Sequence, residues 1–144
     1  MTAASDFLEN KVLDHVLRYS TAPYVAPTTL YLALFTSPTS LAATDALLEA
    51  GTLTNEIPTT GGTLYARQTI TFAAASAGSS ASNATVTFPA AGASWSTVTH
   101  VALVDNATRG SGNVLFWGQV TTSKTIDTGD TFQVTSGNLT ISLA

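Results

Sequence analysis

The sequence predicts a mainly all-β protein: a jelly-roll-like antiparallel β-sandwich of about eight strands with one N-terminal amphipathic α-helix. Three observations predict this fold class. Short runs rich in Val, Ile, Thr, Phe and Tyr recur along the chain. Gly, Pro, Asn or Asp bounds each run, which is typical of brief strands joined by turns. The length of 144 residues suits one domain with one core.

We expect a single domain over residues 1-144, with a helix at 5-20 and the β-sandwich at 28-144. Within the sandwich we expect a long connection at 37-62. Connections longer than about 12 to 15 residues without secondary structure are uncommon unless they carry function. The connection is therefore the first candidate for a surface that touches a partner.

The N-terminal segment has the signals of a helix. Ser5 is a good N-cap, Asp6 suits the positive end of the helix dipole, and Arg18 suits the other end. Apolar residues recur at helical spacing at Leu8, Val12, Leu13, Val16 and Leu17. Such a stripe usually faces the core of its own chain, and we favour that interpretation; the alternative is docking on a partner subunit.

The remaining elements follow in chain order. Leu30 to Thr36 is a nearly continuous apolar run between prolines, which predicts a buried strand. A short helix is possible at 45–50, where Gly51 can take the left-handed C-terminal position. A central hairpin carries both tryptophans and the densest apolar residues of the chain. The strands predicted after the connection are 65–72, 83–88, 95–105 and 113–120 in the hairpin, 124–126, 131–134 and 139–143.

Charge and composition exclude several classes of function. Five Lys and Arg against nine Asp and Glu give a net charge of −4, which argues against binding to nucleic acid. Cysteine is absent, so neither a disulfide nor a thiolate site is expected. The N-terminus lacks the pattern of a secretory signal, and no run approaches the roughly 20 apolar residues that span a membrane. We expect no membrane contact.

The residue types that carry chemistry have structural interpretations that we favour. Asp127-Thr-Gly129 matches the triplet of aspartic peptidases, but one copy would need a symmetric dimer, and a turn is the simpler interpretation. His15 and His100 are the two histidines, and neither accompanies a nucleophile motif. Four aromatic side chains could stack on sugars, although such side chains more often lie in the hydrophobic core: Tyr31, Tyr65, Trp95 and Trp117. We expect no catalytic residues, no cofactor and no metal site.

Several segments together resemble a family of small virion proteins from tailed bacteriophages, often labelled phage tail fibre protein. The segments are 7–17, 30–36, 65–68, 88–105, 115–118, 124–130 and 137–139. The family pattern tends to have Gly after the tryptophan, where this chain has Ser96. It also tends to have a compact Gly-Gly turn, where this chain has Arg109-Gly-Ser-Gly112. The resemblance carries no catalytic or cofactor residues over to this chain.

The resemblance implies a non-enzymatic structural protein of the virion, made in the cytoplasm of the host bacterium. The favoured function is capsid decoration: a cement protein that binds the capsid exterior and stabilises it. The alternative is a tail-associated fibre or adaptor module that contacts a host glycan or another tail protein. The expected partners are the major capsid protein or other virion proteins. The protein is also expected to form homo-oligomers. Candidate partner contacts are Phe7, Leu8, Leu47, Leu48 and Arg109.

Overall fold

The computed structural model describes residues 3–18 and 23–143. The predicted mainly β class with an N-terminal helix is confirmed. The elements, in chain order, are β1 Ala3–Ala4, α1 Asp6–Leu17, β2 Leu30–Thr36, α2 Leu41–Glu49, β3 Gln68–Ile70, β4 Ser79–Ala81, β5 Val86–Thr87, β6 Ser96–Val104, β7 Val114–Ile126, β8 Gln133–Val134 and β9 Thr140–Ser142.

The strands form one large antiparallel sheet and two small ones. The large sheet has five strands in the order β1-β7-β6-β2-β3, and the small sheets pair β4 with β9 and β5 with β8. The main apolar cluster combines side chains of the large sheet with side chains from the two small sheets and their loops. The core therefore lies between two β layers, as in a sandwich.

The central hairpin forms as predicted, from β6 and β7. β6 is buried from Val98 to its end. β6 and β7 continue to pair beyond a register shift between Val98 and His100, and Ser96 is the pairing partner of Ile126. The segment predicted as a separate strand at 124–126 is therefore the end of β7, which has 13 residues.

The other face of the large sheet is covered by α2. This helix begins at Leu41, earlier than the predicted Asp45, because the Ser40 hydroxyl caps it by accepting the Ala43 N–H at 3.1 Å. Gly51 follows with φ 75°, as expected. A second apolar cluster joins α2 to this face of the sheet, through Leu48, Ala33, Phe35, Ala102, Val104 and Val114. Part of the long connection is therefore a packed helix.

The helix α1 begins where its cap predicts. The Ser5 hydroxyl oxygen accepts a hydrogen bond from the backbone N–H of Leu8 at 3.4 Å. The helix ends at Leu17, before the predicted residue 20, because the backbone of Arg18 is extended with φ −121° and ψ 129°. Residues 19–22 lie outside the described part of the chain.

Ser96 has a backbone conformation that is uncommon for a residue with a side chain. Its φ of 61° lies in the left-handed region, which glycine adopts at the lowest cost. This is the position where the resembling family tends to have Gly. The start of β6 therefore has a backbone conformation that suits glycine, although this chain has a serine there.

Candidate docking surface

The first turn of α1 is fixed to the start of β7 through Ser5. The Ser5 backbone N–H donates to the carbonyl of Leu115 at 3.0 Å, and its hydroxyl donates to the carbonyl of Val114. Ser5 has no exposed surface. Because β1 continues directly into this residue, the edge of the large sheet determines where α1 starts.

Beyond its first turn, α1 leaves the body of the protein. The exposed fraction of its apolar residues rises along the helix, from 7% at Leu8 to 43% at Val12, 54% at Leu13, 70% at Val16 and 74% at Leu17. The favoured interpretation, in which this stripe faces the core of its own chain, holds for Leu8 and is wrong for Val16 and Leu17. Val12 and Leu13 are partly covered and border a groove beside Phe116 of β7. The sheet edge under α1 is formed by the two-residue strand β1, which is too short to cover the later turns.

The exposed stripe borders an open groove of about 290 Å³, here called the α1 groove. Leu8, Val12 and Leu13 form its helical side, and Phe116 and Leu143 lie opposite. Soluble monomers rarely expose contiguous apolar patches of this kind unless they bind something. The α1 groove and the stripe together are therefore our candidate docking surface.

Three carboxylates lie at one end of this surface. Oxygens of Asp6, Glu9 and Glu49 are all within 4.8 Å of one another, and Glu9 also lines the α1 groove. Glu49 accepts a hydrogen bond from Trp117 Nε1 at 2.8 Å. Asp6 and Glu9 lie in the first turn of α1, where the helix dipole favours negative charge. No described Lys, Arg or His forms a salt bridge with these three groups. We call them the acidic rim.

A buried ion pair lies elsewhere, between the long connection and the segment before β3. The side chains of Glu56 and Arg67 are both fully buried. Arg67 Nε donates to Glu56 Oε1 and Arg67 Nη2 donates to Glu56 Oε2, each at 2.7 Å. Two parallel charge-assisted hydrogen bonds of this kind are among the strongest in proteins.

The same pair fastens the loop between β6 and β7. Arg67 Nη1 donates to the carbonyls of Asn106 and Ser111 at 2.6 and 2.8 Å. Glu56 Oε2 accepts from the Gly110 N–H at 2.9 Å. No buried side-chain nitrogen or oxygen in the described part of the chain lacks a hydrogen-bond partner. The network therefore holds three distant segments in one arrangement.

Tyr65 completes the network and gives it a pH dependence. Its hydroxyl donates to Glu56 Oε1 at 3.1 Å and accepts from the Leu34 N–H at 3.0 Å. Burial raises the pKa of Tyr65 far above its ordinary value, and the Glu56 carboxylate raises that pKa further. The folded chain therefore keeps this proton at pH values where an exposed tyrosine loses it.

We expect the free energy of unfolding to fall as the pH rises above about 10, the ordinary pKa of tyrosine. The contribution of Tyr65 is fully present below that pH, because both states then carry the proton. Above it, only the unfolded chain loses the proton, which costs up to about 1.4 kcal/mol of stability per pH unit. Urea unfolding at pH values from about 9 to 11 should show a shallower decline in Tyr65→Phe than in the parent protein. Equal slopes would contradict the assignment.

One comparison with known proteins gives a match. A family model described as "Podophage GP4 fiber I protein gp80" matches residues 3–142, which is nearly the whole chain. The chain belongs to this fiber I protein family. The resemblance to virion proteins of tailed phages is confirmed, and the protein is a phage structural protein. No curated protein matches the chain.

The structure places the five candidate contact residues of this fiber I family member in different surroundings. Leu8 lines the α1 groove, and Leu48 is fully buried between α2 and the sheet. Phe7 packs edge-on against Tyr24 with ring centroids 6.5 Å apart. Leu47 is half-buried, and Arg109 donates to the carbonyls of Glu56 and Ile57 at 2.8 and 3.1 Å. Their contact with a partner stays a prediction.

Of the residues with possible catalytic chemistry, His100 and Asp127 have structural partners within the chain. His100 is fully buried; its Nε2 lies 2.9 Å from Asp45 Oδ1, and its Nδ1 lies 2.8 Å from the Thr99 hydroxyl. Asp127 lies in an exposed turn, where its backbone N–H donates to Asp130 Oδ2 at 3.0 Å. These positions match the structural histidine and the turn that the sequence favoured. His15 is exposed on α1.

The aromatic residues of this family member fall into two groups. Tyr65 and Trp95 are buried in the main core beside Phe88. Tyr31 is half-exposed and lines an open, polar groove together with Tyr24. Asp105 also lines that groove, but both of its carboxylate oxygens accept hydrogen bonds from Asn113 at 2.7 Å. Among the described residues, no helix is long and apolar enough to cross a membrane.

Proposed function

We propose that this protein is a non-enzymatic, one-domain module of a phage tail fibre, and that it attaches to neighbouring virion proteins through α1. The family name supports a position at the tail, because it describes a fiber protein. The observation that carries the attachment is the exposed apolar stripe of α1, from Val12 to Leu17. A protein whose function is adhesion needs such a surface and needs no active site.

The energy available from this surface suits stable attachment. Full burial of a Val or Leu side chain contributes about 1.5 to 3 kcal/mol. Four such residues on α1 are more than two-fifths exposed: Val12, Leu13, Val16 and Leu17. A specific interface of about 1,200 to 2,000 Å² could include the stripe, the α1 groove and the surrounding polar residues.

Capsid decoration, the function favoured from the sequence, remains the second candidate. A subunit that binds only the assembled particle stabilises it by mass action, whether the site is on the head or on the tail. The family name favours the tail. Association with further copies of this chain and synthesis in the host cytoplasm remain parts of the proposal, and contact with the major capsid protein belongs to the second candidate.

The position in the particle can be tested by counting copies. Quantitative mass spectrometry of purified particles should give a few to a few tens of copies of this protein, measured against the major capsid protein. Immunogold electron microscopy of the same particles should place the label at the tail. Hundreds of copies, with label over the head, would overturn the tail assignment and support capsid decoration.

A further inference from the structure

We infer that the α1 groove receives a segment of another virion protein that carries apolar side chains beside Lys or Arg. The apolar side chains would lie in the groove, and the cations would lie at the acidic rim. This inference rests on the proposed function, because it concerns the partner of the same surface. It adds the chemistry by which that partner is recognised.

The acidic rim is the reason to expect a basic partner. Glu9 lines the apolar groove, Asp6 and Glu49 lie beside Glu9, and no described residue forms a salt bridge with these three groups. A neutral partner that covered the groove would remove water from these carboxylates and supply nothing in exchange. A Lys or Arg at that end would replace the lost water with charge-assisted hydrogen bonds. The charges would also fix the direction of the partner segment.

The cations of this chain are poorly placed to supply this chemistry from a second copy. Helical spacing places Lys11 and Arg18 on the side of α1 opposite Leu13. In the structure, Lys11 lies 5.8 Å from the ring centroid of Phe7, and Arg18 pairs with Asp14 at 3.0 Å. Arg67 and Arg109 are bound within the chain, and Lys124 lies among threonine and serine on β7. We therefore assign the complementary cations to a different protein.

The dimensions of the stripe indicate a helical segment as the partner. The stripe runs from Leu8 to Leu17, which is about 14 Å at about 1.5 Å per residue. A partner helix of two to three turns would match this length, with apolar anchors three, four and seven residues apart. Leu143, which is 67% exposed on the far side of the groove, would contact the same helix.

Two synthetic helical peptides provide the probe. Both have the same Leu positions at helical spacing; one has Lys on its flanks and the other has Glu. We expect the full-length protein to bind the Lys peptide at least about tenfold more tightly at low salt, with affinity falling as salt increases. Isothermal titration calorimetry measures both. Equal affinity for the two peptides would overturn the charge selection, and no binding of either would overturn the docking surface.

Variants of the protein make the test specific. Leu13→Asp should abolish binding of the Lys peptide, whereas Val25→Asp, at an exposed apolar residue outside α1, should leave it unchanged. Glu9→Lys changes the charge of the acidic rim from −3 to −1 and should therefore reduce the preference for the Lys peptide. Circular dichroism should match the parent protein in all three variants, because these side chains are exposed. The unfolding midpoint of Glu9→Lys should fall slightly, because a positive charge replaces an acidic residue in the first turn of α1. Loss of binding in Val25→Asp as well would contradict the assignment to the α1 groove.

Two further measurements distinguish a different virion protein from a second copy of this chain as the occupant of the α1 groove, and the tail position from the head position. Sedimentation that shows self-association, lost in Leu13→Asp, would overturn the inference in favour of a second copy. Copy counting in particles is independent of the peptide measurement. A position on the head would therefore overturn the proposed tail function and leave the inferred basic partner segment intact. Equal affinities for the two peptides would overturn the basic partner segment and leave the tail function intact.

Discussion

Replacing Glu56 with Ala is expected to lower the free energy of unfolding by about 3 to 5 kcal/mol. The change leaves the Arg67 guanidinium fully buried without its counter-charge. It also removes the acceptor of the Gly110 N–H and of the Tyr65 hydroxyl. Urea unfolding followed by circular dichroism measures the loss, which corresponds to a fall in Tm of roughly 2 to 4 °C per kcal/mol for a chain of this size.

The exposed pair of Asp14 and Arg18 provides the control. Their side chains are 52% and 77% exposed and lie four residues apart on α1. Solvent screens such a pair, so Asp14→Ala should cost no more than about 0.5 kcal/mol. Equal losses in Asp14→Ala and Glu56→Ala would contradict the role assigned to the buried pair.

A double variant separates the energy of the Glu56–Arg67 pair from the cost of leaving one charge buried and unpaired. Replacing both Glu56 and Arg67 with Met removes both charges together, so neither is left buried and unpaired. The combined loss should be smaller than the sum of the two single losses, because each single change strands the other charge. Strict additivity would mean that the two side chains act independently, against the 2.7 Å hydrogen bonds between them.

The sequence predicts the elements whose signals are local. The apolar run of β2 and the hairpin of β6 and β7 lie where alternation and turn residues predict them. The cap at Ser5 likewise follows from the residues next to it. In these segments the side-chain period and the turn chemistry agree with the tertiary packing, so short-range reasoning is sufficient.

The Glu56–Arg67 pair could not be predicted in this way. The two residues are 11 positions apart and share no helix or strand period. In the strand predicted at 65–72, alternation puts Arg67 on the same face as Thr69 and Thr71. The structure instead buries Arg67 beneath the loop between β6 and β7. The presence of Tyr65 and Arg67 within the family-like motif Tyr65-Ala-Arg-Gln68 was the one sequence signal that singled them out.

The docking surface was only half predictable. Helical spacing correctly identified the stripe of α1, but the period of a helix does not show what it faces. The decisive fact is the exposure of the later turns of α1, where Val16 and Leu17 are 70% and 74% exposed. The acidic rim was also hidden, because Glu49 joins Asp6 and Glu9 only through the packing of α2 on the sheet.

Replacing Trp95 with Ala is expected to cost about 3 to 5 kcal/mol of unfolding free energy. Trp95 is 2% exposed and packs edge-on against Tyr65 and Phe88, with centroids 5.5 and 6.3 Å apart. Its Nε1 donates to the carbonyl of Thr63 at 2.8 Å. The change therefore creates a cavity and also removes this donor from the Thr63 carbonyl. Urea unfolding monitored by circular dichroism measures the loss.

Trp117→Ala is the matched control, because it removes the same side chain from the partner strand of the hairpin. Trp117 is half-buried and donates to Glu49, so water can replace much of what it loses. Trp117→Ala should lower the free energy of unfolding by at most about half as much as Trp95→Ala. Equal losses of unfolding free energy would contradict the placement of Trp95 in the core.

The two kinds of variant should also differ in the assembled particle. Trp95→Ala weakens folding, so its incorporation should recover when particles are assembled at a lower temperature that favours the folded state. Leu13→Asp leaves folding intact and removes the contact, so its incorporation should stay low at every assembly temperature. Copy counting at two temperatures thus separates a folding defect from a docking defect. Parallel recovery of both variants would mean that α1 stabilises the fold and does not bind the partner.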